Sequence, residues 1–146
     1  MAFTVYKTAK GYRWLAISST AYRDRDGEIV STKALKQAVE NTARRGNFGP
    51  LRFWHEPGLD IGTTDYQAVS NDGKYLVESG LLDSRVAPNI VTAAKSQGYQ
   101  MSIGFNHAPT EPDKDGVFHR INIFERSIVP AGRAANSMTL FNIAKE

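Results

Sequence analysis

Short segments rich in apolar and β-prone residues, separated by Gly, Pro and Asp turn signals, dominate this 146-residue sequence. The clearest turn is the Asn-Asp-Gly segment at residues 71–73, because Gly accepts the positive φ that tight hairpin turns require. Segments this short, joined by tight turns, are typical of antiparallel sheets. The pattern predicts strands over residues 12–20, 28–30, 51–54, 61–69, 74–82, 100–106, 117–129 and 138–143.

Two segments show helical patterning instead. The first lies between the capping residue Ser31 and Gly46, with apolar side chains at three- and four-residue spacing. The second begins near Pro88 and ends at Gly98. Together these elements predict an α+β fold, a mostly antiparallel β-barrel of six to eight strands with two or more helices packed outside it. The length predicts a single domain over residues 1–146.

Composition excludes several classes of protein. The absence of Cys excludes disulfides, a thiol nucleophile and thiolate metal sites. The apolar runs are far shorter than the ~20 residues of a membrane span, and the first residues lack the pattern of an export signal, so we expect a soluble protein with no membrane partner. The 18 Lys and Arg residues are scattered, which argues against a nucleic-acid partner.

The three histidines, His55, His107 and His119, do not have metal-ligand spacing. Asp24 and Asp26 resemble part of a calcium loop, but the remaining ligands are missing and a turn is the simpler interpretation. The sequence therefore predicts neither a metal nor another cofactor.

Ser102 stands out because it lies in an otherwise apolar strand, MSIGF at residues 101–105. A hydroxyl there can simply bond to the backbone, or it can be a nucleophile. The Gly-x-Ser-x-Gly motif of many hydrolases is absent, since position 100 is Gln. Local spacing leaves both interpretations open.

A larger pattern bears on this choice, because several short motifs occur in a characteristic order. They are FWHEP at residues 53–57, IG at 61–62, MSIGF at 101–105, FERSIVP at 124–130 and AAN at 134–136. In this order they resemble the prohead (capsid maturation) serine proteases of tailed bacteriophages, a family that shares its fold with the herpesvirus assembly proteases. The resemblance covers residues 14–137.

The resemblance implies a catalytic set of Ser102 as nucleophile, His55 as its base and Glu125 as the group that orients the histidine. The chemistry is consistent, because a serine hydroxyl needs a neighbouring base and neutral imidazole suits that role near pH 7. The herpesvirus relatives use a second His as third member. Strand alternation over residues 117–129 would put His119 on the same face as Glu125, so His119 is the alternative.

The resemblance also implies an oxyanion loop after the third catalytic strand. This loop falls on residues 130–136, where Gly132 and Arg133 are the candidates to support the oxyanion. Arg133 is otherwise a solvated loop residue. His107 matches no motif position, and a solvated side chain is expected there.

The function implied is that of a serine endopeptidase that cleaves scaffold or propeptide segments of capsid proteins, and itself, during phage head maturation. Its substrates would be the major capsid protein and the scaffold, inside the assembling procapsid in the host cytoplasm, and a homodimer stays open. One alternative is a catalytically silent scaffolding or capsid-binding relative, and another is a small nucleic-acid-binding barrel. The presence of His55, Ser102 and Glu125 together favours the enzyme.

Overall fold

Ten strands and two helices make up the part of the chain that this computed structural model describes, residues 11–144. The α+β class is therefore confirmed. Eight of the strands have four residues or more, and β2 and β8 have two each. The elements are β1 Arg13–Thr20, β2 Ile29–Val30, α1 Thr32–Arg45, β3 Pro50–Phe53, β4 Asp60–Thr63, β5 Tyr66–Val69, β6 Tyr75–Leu81, α2 Ala87–Gln97, β7 Tyr99–Asn106, β8 Val117–Phe118, β9 Asn122–Pro130 and β10 Leu140–Ala144.

The strands form two four-stranded sheets and one small pair. The first sheet has the order β10-β1-β6-β5 and is antiparallel throughout. The second has the order β4-β3-β9-β7, in which only β3 and β9 run parallel. The short strands β2 and β8 pair in parallel. The prediction of mostly antiparallel pairing is confirmed.

Both predicted helices form, with ends set by local signals. The Ser31 hydroxyl accepts a hydrogen bond from the Ala34 amide at the start of α1, and Gly46 ends the helix in the left-handed conformation at φ 68°. Leu35 of α1 packs into one core cluster and Ile90 of α2 into another. Among residues 11–144, no helix combines the length and apolarity needed to cross a lipid bilayer.

Two predicted strands are wrong because each is divided in the structure. The predicted strand over residues 61–69 is split into β4 and β5, which belong to different sheets. The predicted strand over residues 117–129 is interrupted between β8 and β9. In this second gap, the Glu111 carboxylate accepts hydrogen bonds from the backbone amides of His119 and Arg120, so these amides are satisfied without a ladder.

A buried ion pair joins the two larger sheets. Arg126 of β9 and Glu78 of β6 are both fully buried and meet through two hydrogen bonds, of 3.1 Å from Nε and 2.7 Å from Nη2. The remaining Arg126 nitrogen, Nη1, donates to the carbonyl oxygens of residues 48–50. With these acceptors in place, the guanidinium is paired and hydrogen-bonded, as a buried charge requires.

Arg126→Met is expected to destabilise the fold by about 3–5 kcal/mol, because it leaves the Glu78 carboxylate buried without its partner. Urea denaturation followed by circular dichroism measures this change. Arg52→Met is the matched control, since the Arg52–Asp60 pair is partly exposed and its loss should cost less than about 1 kcal/mol. Equal, small effects of the two substitutions would contradict the importance of the buried pair.

Candidate active site

The antiparallel pairing of β7 with β9 collects polar side chains on one face of the second sheet. Ser102 lies opposite Ser127, and Gly104 lies opposite Glu125. Residues opposite each other in an antiparallel pair project from the same face. The intervening Arg126 projects from the other face and is buried there. One strand thus supplies Ser102, and its neighbour supplies a carboxylate and a second hydroxyl.

His55 reaches this face from the turn that follows β3, the parallel neighbour of β9. Trp54 and His55 both adopt left-handed backbone conformations, with φ of 54° and 58°. For non-glycine residues such conformations cost of order 1–3 kcal/mol each and persist only where the surroundings hold them. The His55 amide donates to Ser127 Oγ at 2.8 Å, and the Trp54 amide donates to the Ile128 carbonyl at 3.2 Å. These bonds hold the turn against β9.

A chain of hydrogen bonds runs from Ser102 through His55 to Glu125. His55 Nε2 lies 2.8 Å from Ser102 Oγ, and His55 Nδ1 contacts Glu125 Oε1. A carboxylate can only accept, so Nδ1 carries a proton and donates it to Glu125. In neutral imidazole this leaves Nε2 as the acceptor of the Ser102 hydroxyl proton. The arrangement has the order that activates a serine.

Glu125 is 1% exposed, and its second oxygen is also bonded. The Ser127 hydroxyl donates to Glu125 Oε2 at 3.0 Å, while the same Ser127 oxygen accepts from the His55 amide. Ser127 therefore positions both the carboxylate and the backbone of the histidine. Gly104 provides the space for the carboxylate, because a Cβ at this position would lie 2.2 Å from Glu125 Oε1.

The arrangement can perform nucleophilic catalysis. Ser102 is partly exposed, and 38% of the His55 side chain is exposed, so a substrate can reach both. The buried carboxylate would stabilise the imidazolium that forms when His55 takes the Ser102 proton. The three residues proposed from sequence as the catalytic set are thus brought together in hydrogen-bond contact.

The structure does not bring His119 to this site, so the alternation argument that offered it as third member is wrong. His119 follows β8 in the gap before β9, and its Nε2 contacts Asp113 Oδ2 at 2.7 Å. This hydrogen bond is the main cause of a lowered pKa of the Asp113 carboxyl, helped by the Val117 backbone amide. His107 is exposed and lies with its ring against Phe118.

The loop over residues 130–136 approaches Ser102 through a different part than expected. The Gly132 amide donates to the Gln100 side-chain oxygen at 2.8 Å, and the Gly132 carbonyl accepts from Arg25. Arg133 is exposed. The loop residues that line the same cavity as Ser102 are Ala135 and Asn136. The Gly132 amide therefore already donates to Gln100, and neither Gly132 nor Arg133 lines the cavity at Ser102. These positions do not support the oxyanion role that was predicted for them.

Sequence reasoning missed Ser127 and Gly104, the two positioning residues. Both lie two residues from a member of the set, Ser127 from Glu125 and Gly104 from Ser102. Strand periodicity places residues at this spacing on the same face, and that was the available signal. The contact of Gly104 with Glu125 depends on the β7–β9 register, and the bond from the His55 amide to Ser127 depends on the turn after β3 lying against β9; the sequence displays neither.

Gly104→Ala is expected to slow the reaction of Ser102 with a fluorophosphonate about 100-fold, because the added methyl displaces Glu125 and shifts His55. Labelling rates measured by intact-protein mass spectrometry test this. Asn106→Ala, at the exposed end of the same strand, is the control and should label at the wild-type rate. A wild-type rate for Gly104→Ala would show that the contact with Glu125 does not constrain the site.

Ser127→Ala is expected to cost about 1–3 kcal/mol of unfolding free energy, because a buried carboxylate oxygen and the His55 amide each lose a partner. Denaturant unfolding measures the change. Ser96→Ala, on the exposed face of α2, should stay within about 0.5 kcal/mol of wild type. If both variants unfold at the same denaturant concentration, Ser127 is not the positioning residue described here.

Neither a scan against models of protein families nor a search among curated proteins finds a match to this chain. What the site can do therefore follows from its own side chains, the hydrogen-bonded Ser102, His55 and Glu125.

Proposed function

We propose that the protein is a serine endopeptidase with Ser102 as nucleophile, His55 as general base and Glu125 as the group that stabilises the protonated histidine. The single observation that carries the proposal is the hydrogen-bond chain from Ser102 Oγ to His55 Nε2 and from Nδ1 to the buried Glu125 carboxylate. A surface serine has no need of a histidine that is itself oriented by a buried acid. Three polar groups aligned in this order suit proton removal from the hydroxyl.

In the first half of the reaction, Ser102 Oγ attacks the carbonyl carbon of a peptide bond as its proton passes to His55 Nε2. The negative Glu125 carboxylate stabilises the resulting imidazolium. The tetrahedral intermediate collapses when His55 returns the proton to the leaving nitrogen, which breaks the C–N bond and leaves an acyl ester on Ser102. Ala135 and Asn136 border the cavity at Ser102, which makes this end of the loop our candidate to stabilise the oxyanion.

In the second half, water takes the place of the departed amine. His55 removes a proton from the water as its oxygen attacks the ester carbonyl, and then donates that proton to Ser102 Oγ. The products are the two peptide fragments and the free enzyme. The partial exposure of His55 supports this step, because water must reach Nε2.

The biological substrates follow from the resemblance to prohead proteases. On that basis we infer that the enzyme removes scaffold or propeptide segments from the major capsid protein and the scaffold, and cuts its own chain, during phage head maturation. The reaction would take place inside the assembling procapsid in the host cytoplasm. A monomer and a homodimer are both compatible with this role.

We also infer that the two larger sheets act as the two halves of a partly closed barrel, with the helices outside. Two contacts between the sheets support this architecture. Gly62 in β4 forms a bridge with Leu82, directly after β6, at one side. At the other side, β7 contacts both β1 and β10. The buried Arg126–Glu78 pair spans the interior between these contacts.

Reaction of the protein with an uncharged fluorophosphonate, followed by peptide mass spectrometry, tests the proposal. We expect one adduct on Ser102, its loss in Ser102→Ala, and labelling at least ~1000-fold slower in His55→Ala. Co-expression with the major capsid protein that the proposal names as substrate should then yield cleavage that depends on Ser102.

Matched controls come from residues outside the site. His107→Ala and Ser96→Ala replace an exposed histidine and an exposed serine and should label at the wild-type rate, as should His119→Ala. An unlabelled wild-type protein together with an uncut capsid protein would overturn the protease proposal. That outcome would favour the catalytically silent scaffolding or capsid-binding alternative.

A further inference from the structure

Ser102 lines a cavity of about 170 Å³ that several segments of the chain border. Three consecutive residues of β7, 101–103, line it, which places the cavity against the edge of that strand. The end of β1, the turn between β1 and β2, and Ala135 and Asn136 of the loop after β9 line other sides. A substrate bound for attack by Ser102 must therefore place a neighbouring group at or in this cavity.

Three carboxylates line the cavity on the side of the turn. The carboxylate oxygens of Asp24, Asp26 and Glu28 lie within 4.8 Å of one another. Among the described residues, none of the three forms an ion pair within 4.0 Å. Arg23 and Arg25 of the same turn keep their positive charge, but they donate to backbone carbonyls and neither forms an ion pair with these carboxylates. Negative charge is thus concentrated beside the nucleophile.

A buried hydroxyl at the same cavity lacks a partner. Ser18 of β1 is 1% exposed, lines the cavity, and its Oγ has no hydrogen-bond partner among the described residues. An unpartnered buried hydroxyl is costly, at about 1–3 kcal/mol. A ligand that donates a hydrogen bond in the cavity would satisfy it. This observation is independent of the carboxylates and points to a polar, donating group.

The apolar lining distinguishes between a bare ion and a longer group. Val30, Ile103, Phe105 and Phe118 also border the cavity. A cavity of about 150 Å³ holds a six-carbon ring, so 170 Å³ is the right size for a side chain of five to seven heavy atoms. Lys and Arg combine an apolar stem with a cationic, hydrogen-bond-donating head.

We propose that this cavity is the specificity subsite of the enzyme and binds a Lys or Arg side chain of the substrate, through Asp26, Glu28 and Ser18. We assign the bound residue as the one that supplies the attacked carbonyl, since Ser102 itself borders the cavity and the Cα of that residue is bonded directly to the attacked carbon. This inference rests on the proposed function. It adds the substrate class, cleavage after a basic residue, and gives these three residues the role of selecting it.

Peptide binding to the Ser102→Ala variant tests the subsite without requiring catalysis. Two alanine-based hexapeptides are compared, identical except for Lys or norleucine at the third position, with affinities from NMR chemical-shift titration. We expect the Lys peptide to bind roughly tenfold more tightly, a ratio that corresponds to ~1.4 kcal/mol. Equal affinities, or binding of neither peptide, would overturn the proposal.

Substitutions of the cavity carboxylates show which residues produce the preference for the Lys peptide. Asp26→Asn and Glu28→Gln, each in the Ser102→Ala background, should lower the Lys preference about threefold, and their combination should abolish it. Asp24 is left intact because its carboxylate bonds the amides of Asp26 and Glu28 and holds the turn. Glu40→Gln removes one charge from the exposed face of α1 and should leave the preference unchanged.

Two further measurements separate the alternatives. Labelling of wild type with an uncharged fluorophosphonate reports the proposed function alone. If labelling fails while the Lys preference is retained, the protease proposal is overturned, but the binding of a basic side chain in the cavity is not. Titration with Ca²⁺ alone examines the carboxylates as a metal site. Sub-millimolar Ca²⁺ binding that requires Asp26 and Glu28, with no preference between the two peptides, would replace the subsite with a cation site.

Discussion

Backbone hydrogen bonds between β7 and β9 determine which side chains meet at the candidate site, because opposite residues of an antiparallel ladder share a face. The register sets Ser102 against Ser127 and Gly104 against Glu125. The carboxylate can then occupy the space above the glycine, and the hydroxyl of Ser127 can bond both the carboxylate and the turn that carries His55. The contact of Ser102 with His55 and the fit of Glu125 over Gly104 therefore depend on this pairing.

The turn after β3 supplies the remaining constraint. His55 adopts a left-handed backbone conformation that an unsupported chain would populate rarely. Two hydrogen bonds to β9 hold it there, one from its amide to Ser127 and one from its ring to Glu125. The histidine is thus oriented before any substrate arrives. Such preorganisation lowers the cost of reaching the transition state, since the base does not have to be ordered during the reaction.

Sequence reasoning succeeded where the controlling signals are local. The capping hydroxyl of Ser31 and the glycine at position 46 define α1 within one turn of the chain, so its limits could be predicted. It failed where a distant residue decides the outcome. Periodicity extended one strand through His119, but Glu111 satisfies the amides there and the strand stops. The catalytic set came from motif order. Gly104 meets Glu125 only through the β7–β9 register, and Ser127 meets the His55 amide only because the turn after β3 lies against β9; no local pattern encodes either contact.

The segment Glu125-Arg126-Ser127 serves both sides of one sheet. Its outer members face the histidine, and the middle one neutralises Glu78 in the interior. Because side chains alternate along a strand, the loss or gain of one residue here would exchange the two faces. The guanidinium would enter the site and a carboxylate would enter the core beside Glu78. The length of this segment is consequently more constrained than the identity of many residues around it, and insertions or deletions in relatives should fall in the loops on either side of β9.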